Sequence, residues 1–359
     1  MRARILQPFL MKIKPTFIIL ISLIILTACQ PTSAAPLSNP SASPTKGQAL
    51  PTRTSTLTNT TTATSTAIPT LPSPTRTLIP SATSDRRVTL MAVGDIMLGR
   101  TIGELIEAEG PEAPFLYTSE TLARADITLG NLECPISERG TAEMKKYAFR
   151  APIQAGRALA LAGFDLVSIA NNHILDYGPQ ALEDTLLNLA ENQVLAVGAG
   201  MDANDAYAPV FLDVDGLRLA FLAFMDVILE DYDYTAWQAG TKKPGVAWAH
   251  EQHIRESIVS AKKQADLVIV LVHNGYEMVQ TVSKYQQATA HLAIESGASL
   301  VIGSHPHVLQ RIEPYQDGLI VYSMGNFVFD NFLFPPNYSA ILSVELSPQG
   351  VENYELIDV

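Results

Sequence analysis

Cysteine is nearly absent, with only Cys29 and Cys134 in 359 residues. That excludes a disulfide-stapled scaffold and a cysteine-built zinc site. Basic residues are also scarce, 24 Lys and Arg against 36 Asp and Glu, for a net charge of −12. A nucleic-acid binder needs a basic face, so that class is set aside. Charged residues make up 17% of the chain and hydrophobic ones 47%. This is too apolar for a wholly disordered protein and long enough for one large or two ordinary domains.

The few bases are unevenly placed. Nine of them, and one acid, precede Val88, leaving 15 bases against 35 acids, a net of −20, in the remainder. The acidic part attracts cations and repels a polyanion unless metal or local bases offset its field.

The N-terminus carries Arg2, Arg4, Lys12 and Lys14, then an apolar run from Phe17 to Leu26. The run is short for a membrane span and has the length of a signal-peptide core. It ends in Leu26-Thr27-Ala28-Cys29, which resembles a bacterial lipobox, where the cysteine is lipidated and becomes the mature N-terminus. The competing reading is an uncleaved signal anchor. We expect a lipoprotein signal peptide at 1–28, lipidation of Cys29, and an extracytoplasmic, membrane-anchored protein at the cell surface. In residues 31–85, 33 of 55 positions are Ser, Thr or Pro. Such a segment buries too little apolar area to offset its ordering entropy, so 29–87 reads as a disordered tether.

From Val88 to Val359, strand-like runs alternate with helical patterns, and Asp215-Gly216 marks a hairpin turn. That alternation implies α/β architecture with a mixed sheet, or two sheets packed between helices. Five predicted strand ends carry metal-ligand residue types: Gly94-Asp95, Asn131-Leu132-Glu133, Asn171-Asn172-His173, His273 and Gly303-Ser304-His305-Pro306-His307. Each is weak alone, since an Asp after a strand is commonly a helix cap. Together they hold four of the seven histidines, and packing does not account for that combination.

Their order resembles the calcineurin-like metallophosphatase superfamily. The local wording of Gly94-Asp95-Ile96-Met97, of Asn171 through Gly178, of Gly303 through Gln310 and of Tyr322 through Phe327 resembles the bacterial capsule-synthesis CapA family, linked to poly-γ-glutamate. The resemblance implies a four-layer α/β/β/α sandwich. It also implies metal ligation by Asp95, Glu133, Asn172, His273, His305 and His307, with His173 as proton donor. Two positions depart from the superfamily pattern: Met97 stands where a histidine is usual, and Glu133 where an aspartate bridges. We therefore expect one tight divalent site (Mn, Zn or Mg) and a weaker second one, because a thioether is a poor ligand for these ions. Asp176 either orients His173 or caps the following helix. Lys145, Lys146, Tyr147 and Arg150 form a basic patch that either receives an anionic ligand or is an exposed, solvated face; Glu277 is a candidate to contact metal or substrate, and Asn326 either forms a turn or closes the same substrate rim. The expected role is in poly-γ-glutamate capsule synthesis or export, with the polymer, capsule-synthesis proteins and the membrane as partners and no nucleic acid. The alternative is a metal-dependent hydrolase acting on phosphoesters or γ-glutamyl amides.

Overall fold

A computed structural model describes residues 86–227, 232–330 and 338–359. Cys29, the leader and the tether as far as residue 85 lie outside these residues. The first half contains β1 (Val88–Ile96), α1 (Arg100–Glu109), α2 (Ser119–Leu122), β2 (Ile127–Leu132), α3 (Gln154–Leu161), β3 (Leu166–Ser168), α4 (Gly178–Glu191) and β4 (Leu195–Val197). There follow β5 (Ala199–Gly200), α5 (Ala203–Tyr207), β6 (Val210–Val214), β7 (Leu217–Asp226), β8 (Gly245–Val246), α6 (Glu251–Lys262), β9 (Leu267–Asn274), α7 (Lys284–Glu295) and β10 (Leu300–Ser304). The chain closes with β11 (Ile312–Tyr315), β12 (Gly318–Val321), β13 (Asn326–Val328), β14 (Ala340–Ser347) and β15 (Gly350–Asp358).

Two sheets form. One runs β15-β14-β1-β2-β3-β4, with β13 also against β1, and the other runs β11-β12-β10-β9-β7-β6. Strands β1 to β4 pair in parallel, as do β7, β9, β10 and β12, with antiparallel neighbours outside them. Residue alternation sets the layers. In β7, Leu217, Leu219, Phe221, Ala223 and Met225 enter the core shared by both sheets, while Ala220, Leu222 and Phe224 join Ile254 and Ile258 of α6 and Ala290 and Ala293 of α7. On the other sheet, α1, α3 and α4 bury Ile106, Leu159, Leu182 and Leu189. Each fully buried Leu, Ile or Phe stabilises the fold by about 1.5–3 kcal/mol. The result is the four-layer α/β/β/α sandwich that the resemblance implied.

One strand lies later than its sequence pattern suggested. Val308–Glu313 reads as a hairpin arm, but the continuous ladder runs from Ile312 opposite Val321, with a separate bridge between Leu309 and Met324 before it. The cause is the turn before it, where His305 and His307 take φ of 96° and 58°. Among the described residues, no helix is long and apolar enough to cross a membrane.

Candidate metal centre

The centre forms where strand ends of both sheets meet. In β1, a register shift against β2 between Ala92 and Asp95 re-aims the Asp95 side chain. Gly94 permits the close approach behind it, since a Cβ there would sit 1.9 Å from the Gly325 carbonyl oxygen. Asp95 is fully buried. Its Oδ1 accepts from Asn131 Nδ2 at 2.8 Å, its Oδ2 from the His305 N–H at 3.2 Å, and His307 Nδ1 lies 3.2 Å from Oδ2. Burial works to raise the Asp95 carboxyl, but His307 together with hydrogen bonds from Asn131 and Glu133 outweighs it and holds the group below its ordinary range. Burial would likewise lower His307, and Asp95 reverses that shift.

Glu133 follows β2 and is also fully buried. Its Oε1 has no hydrogen bond and faces His307 Nε2 at 3.6 Å and His173 Nε2 at 3.9 Å. Burial, then the charge of Asp95, push its carboxyl well above the usual range. His273, in β9, places Nε2 2.7 Å from Asn172 Oδ1 and Nδ1 2.9 Å from Ser304 Oγ. Asn131 and Asn171 lie behind this layer: Asn131 Nδ2 reaches Asp95, Glu133 and His273, and Asn171 Nδ2 donates to Asn131 Oδ1 at 3.1 Å.

His305 supplies the decisive observation. It is fully buried, and among the described residues neither ring nitrogen has a hydrogen-bond partner. Each buried unsatisfied group costs about 1–3 kcal/mol, and its positive φ adds backbone strain. Burial lowers its pKa to about 3, so the ring is neutral with a free lone pair. A divalent ion satisfies such a nitrogen. Among the described residues, three ligand sets have donor atoms within 4.8 Å of one another: Asp95, Glu133 and His307; Glu133, His273 and His305; and Glu277, His305 and His307. Nitrogen and oxygen donors about 2.0–2.2 Å from an ion lie within about 4.4 Å of each other, so a small closure suffices. The first two sets share Glu133, which defines two neighbouring positions. Carboxylates and imidazoles without thiolate suit hard or borderline divalent ions.

His173 stands beside the centre. Its Nδ1 is 2.7 Å from Asp176 Oδ2, which also accepts the Phe149 N–H at 2.6 Å. Of the two roles open to Asp176, it takes the orienting one, and α4 has no side-chain cap. Burial lowers the His173 pKa to about 4, leaving Nε2 an acceptor. Lys145 is buried, ion-paired with Asp176, and donates to the Asn172 carbonyl at 2.6 Å.

The other candidates separate. Tyr147 and Glu277 line a pocket of about 210 Å³ that also exposes Arg100, Phe149, His173 and His307. Lys146 instead lies over the Tyr147 ring, and Arg150 over Tyr177 in a different cleft. Asn326 Oδ1 contacts His307 Nδ1 at 2.8 Å and so orients that ring. Met97 is fully buried in the core, its sulfur accepting the Gly99 N–H. Cys134 is a buried thiol pushed up to about 12 by its burial, a packing residue. Arg100 and Phe149 escaped the sequence reading. Arg100 pairs with Asp330, far along the chain, so no local pattern marks it.

The profile described as bacterial capsule synthesis protein PGA_cap matches residues 89–331. The "Capsule biosynthesis protein CapA" of Bacillus anthracis is 32% identical over 282 residues, 76% of this chain and 67% of that protein. The "PGA biosynthesis protein CapA" of Bacillus subtilis is 32% identical over 279 residues, 77% and 72%. A "probable polyglutamine synthesis accessory protein" of Mycobacterium tuberculosis is 27% identical over 285 residues, 68% and 74%.

Proposed function

Since the chain belongs to the bacterial capsule synthesis PGA_cap family, we propose that it serves poly-γ-glutamate capsule production as a surface-anchored component whose metal centre engages the polymer. Relatives named for capsule and PGA biosynthesis support the polymer. The observation that carries the metal is His305, buried with both ring nitrogens unpartnered among carboxylates and imidazoles. Asp95, Glu133, Asn172, His273, His305 and His307 would hold the ion or ions. Bound there, a divalent ion supplies Lewis-acid contact to a carboxylate or amide oxygen. Asn131 and Asn326 fix the ligand side chains, and Asp176 fixes the His173 ring. A lipid on Cys29 would hold the domain at the membrane, with 29–87 as spacer.

The His173–Asp176 pair supports a second reading, a hydrolase of γ-glutamyl amides or phosphoesters. An imidazole oriented by a carboxylate and facing the centre is the arrangement that proton transfer needs. One set of measurements separates the two. The full chain is reconstituted with Mn or Zn, its metal content measured, and poly-γ-glutamate binding and turnover followed for the wild type, His305→Ala and His173→Asn. Metal-dependent binding without turnover supports the component role, and turnover lost in His173→Asn supports the hydrolase. A protein that takes up no metal, and binds polymer equally well in chelator, has neither role.

A further inference from the structure

Among the described residues, Arg100 is the only lysine or arginine lining the pocket over the metal ligands. It is held there from several directions. It begins α1 with φ of 49°, a left-handed conformation that disfavours a non-glycine residue. Its Nη2 pairs with Asp330, whose other oxygen accepts the Thr101 N–H at 3.2 Å and the Thr101 hydroxyl at 2.8 Å. Its guanidinium carbon lies 4.6 Å from the Phe149 ring centroid, and Phe149 stacks on His173 at 4.1 Å. The Arg100 side chain remains 37% exposed. Among the described residues its hydrogen bonds use Nη2, leaving Nε and Nη1 as donors. A strained, stacked, ion-paired arginine with spare donors is a preformed anion receptor.

The pocket also limits which anion enters. Glu277 and Asp330 line it as well, and Asp330 is already paired with Arg100, so the pocket repels a dianionic phosphate more strongly than a monoanionic carboxylate that needs only the spare Arg100 donors. Its volume of about 210 Å³ is below the roughly 300–1,000 Å³ of pockets that engulf whole ligands. That suits one unit of a longer chain lying across it.

We propose that Arg100 is the specificity residue of the centre and takes the free α-carboxylate of a γ-linked glutamyl unit whose neighbour reaches the metal ligands. The inference rests on the polymer reading above and adds the side chain that recognises it. Arg100 acts on the ligand and not on the ion, so its removal leaves metal uptake intact.

Calorimetric titration of the metal-replete full chain with tri-γ-glutamate tests this, with elemental analysis alongside and inorganic phosphate as a second probe. Arg100→Gln is expected to weaken tri-γ-glutamate binding at least tenfold, with metal content unchanged and phosphate affinity altered less than threefold. Arg100→Lys keeps the charge but not the fork, and is expected to lose several-fold. If the Gln variant does not fold, the Lys variant decides, and wild-type affinity in it overturns the proposal. Wild-type affinity in a folded Arg100→Gln also overturns the proposal and leaves the polymer reading standing. A wild type that binds no tri-γ-glutamate ends both.

Discussion

Lys145 belongs by sequence to an exposed basic patch, yet the fold buries it beneath Asp176 and packs Trp237 and Tyr234 around its ammonium at 4.9 and 5.2 Å. Burial lowers its pKa, and Asp176 opposes that shift. Breaking such a pair from one side strands a buried charge, at about 3–5 kcal/mol. Lys145→Met should cost that much in chemical denaturation, and adding Asp176→Asn should recover part of it, because the stranded carboxylate is gone. Asp226 gives a pH-dependent counterpart. It lines a cleft with Glu251, Arg255 and His291, and burial raises its carboxyl to about 7. Its folded pKa exceeds the unfolded value of about 3.9. The proton it holds therefore stabilises the fold fully below that value, and the contribution is lost as pH rises towards 7. Because the cleft admits water, we expect Asp226→Asn to be about 1–2 kcal/mol more stable than wild type at pH 8 and nearly equal at pH 4, read from melts across that range. The ligand residue types were legible because each follows a predicted strand. The unpartnered state of His305 and the pairing of Arg100 with Asp330 were not, because both depend on chain segments that meet only after folding.

At the level of elements, legibility follows length. Strands such as β7 and β9 announce themselves by continuous apolar runs, and the β6–β7 turn by Asp215 and Gly216, which take φ of 47° and 77°. The pair β5–β8 and the strand β13 have two or three residues each and carry no period. Helix α7 shows how an element's end supports the centre. Ser283 Oγ accepts the Gln286 N–H at 3.1 Å, and Gln286 Oε1 accepts the Ser283 N–H at 3.0 Å. Gln286 also donates to Gln310 Oε1 at 2.9 Å, and Gln310 donates to the Val279 carbonyl at 2.8 Å. These bonds tie the helix to the loops carrying Glu277 and His307. Ser283→Ala removes one cap and should cost about 1 kcal/mol. Gln286→Ala removes the cap and the buried bridge, and should cost about 2 kcal/mol. Equal losses in denaturant titration would show that the bridge to Gln310 adds nothing.

For the whole molecule, charge and metal act together. From Val88 on the chain is net −20, and Asp95 and Glu133 lie fully buried side by side at its centre. Those carboxylates and the unpartnered His305 are desolvated before any ion arrives. A cation that binds the folded state stabilises it by mass action, about 2.7 kcal/mol at a hundredfold excess over its Kd. For domains of 150–250 residues each kcal/mol moves Tm by about 2–4 °C, so Mn or Zn should raise the melting temperature by roughly 5–10 °C over the protein in chelator. His305→Ala should abolish most of that rise, because one of the two positions loses an imidazole. Asp226→Asn, on the opposite face of β7 from the centre, should keep it in full. If both variants respond to metal as the wild type does, the ion binds elsewhere on the acidic surface, and the cluster of strand-end ligands is not what holds it.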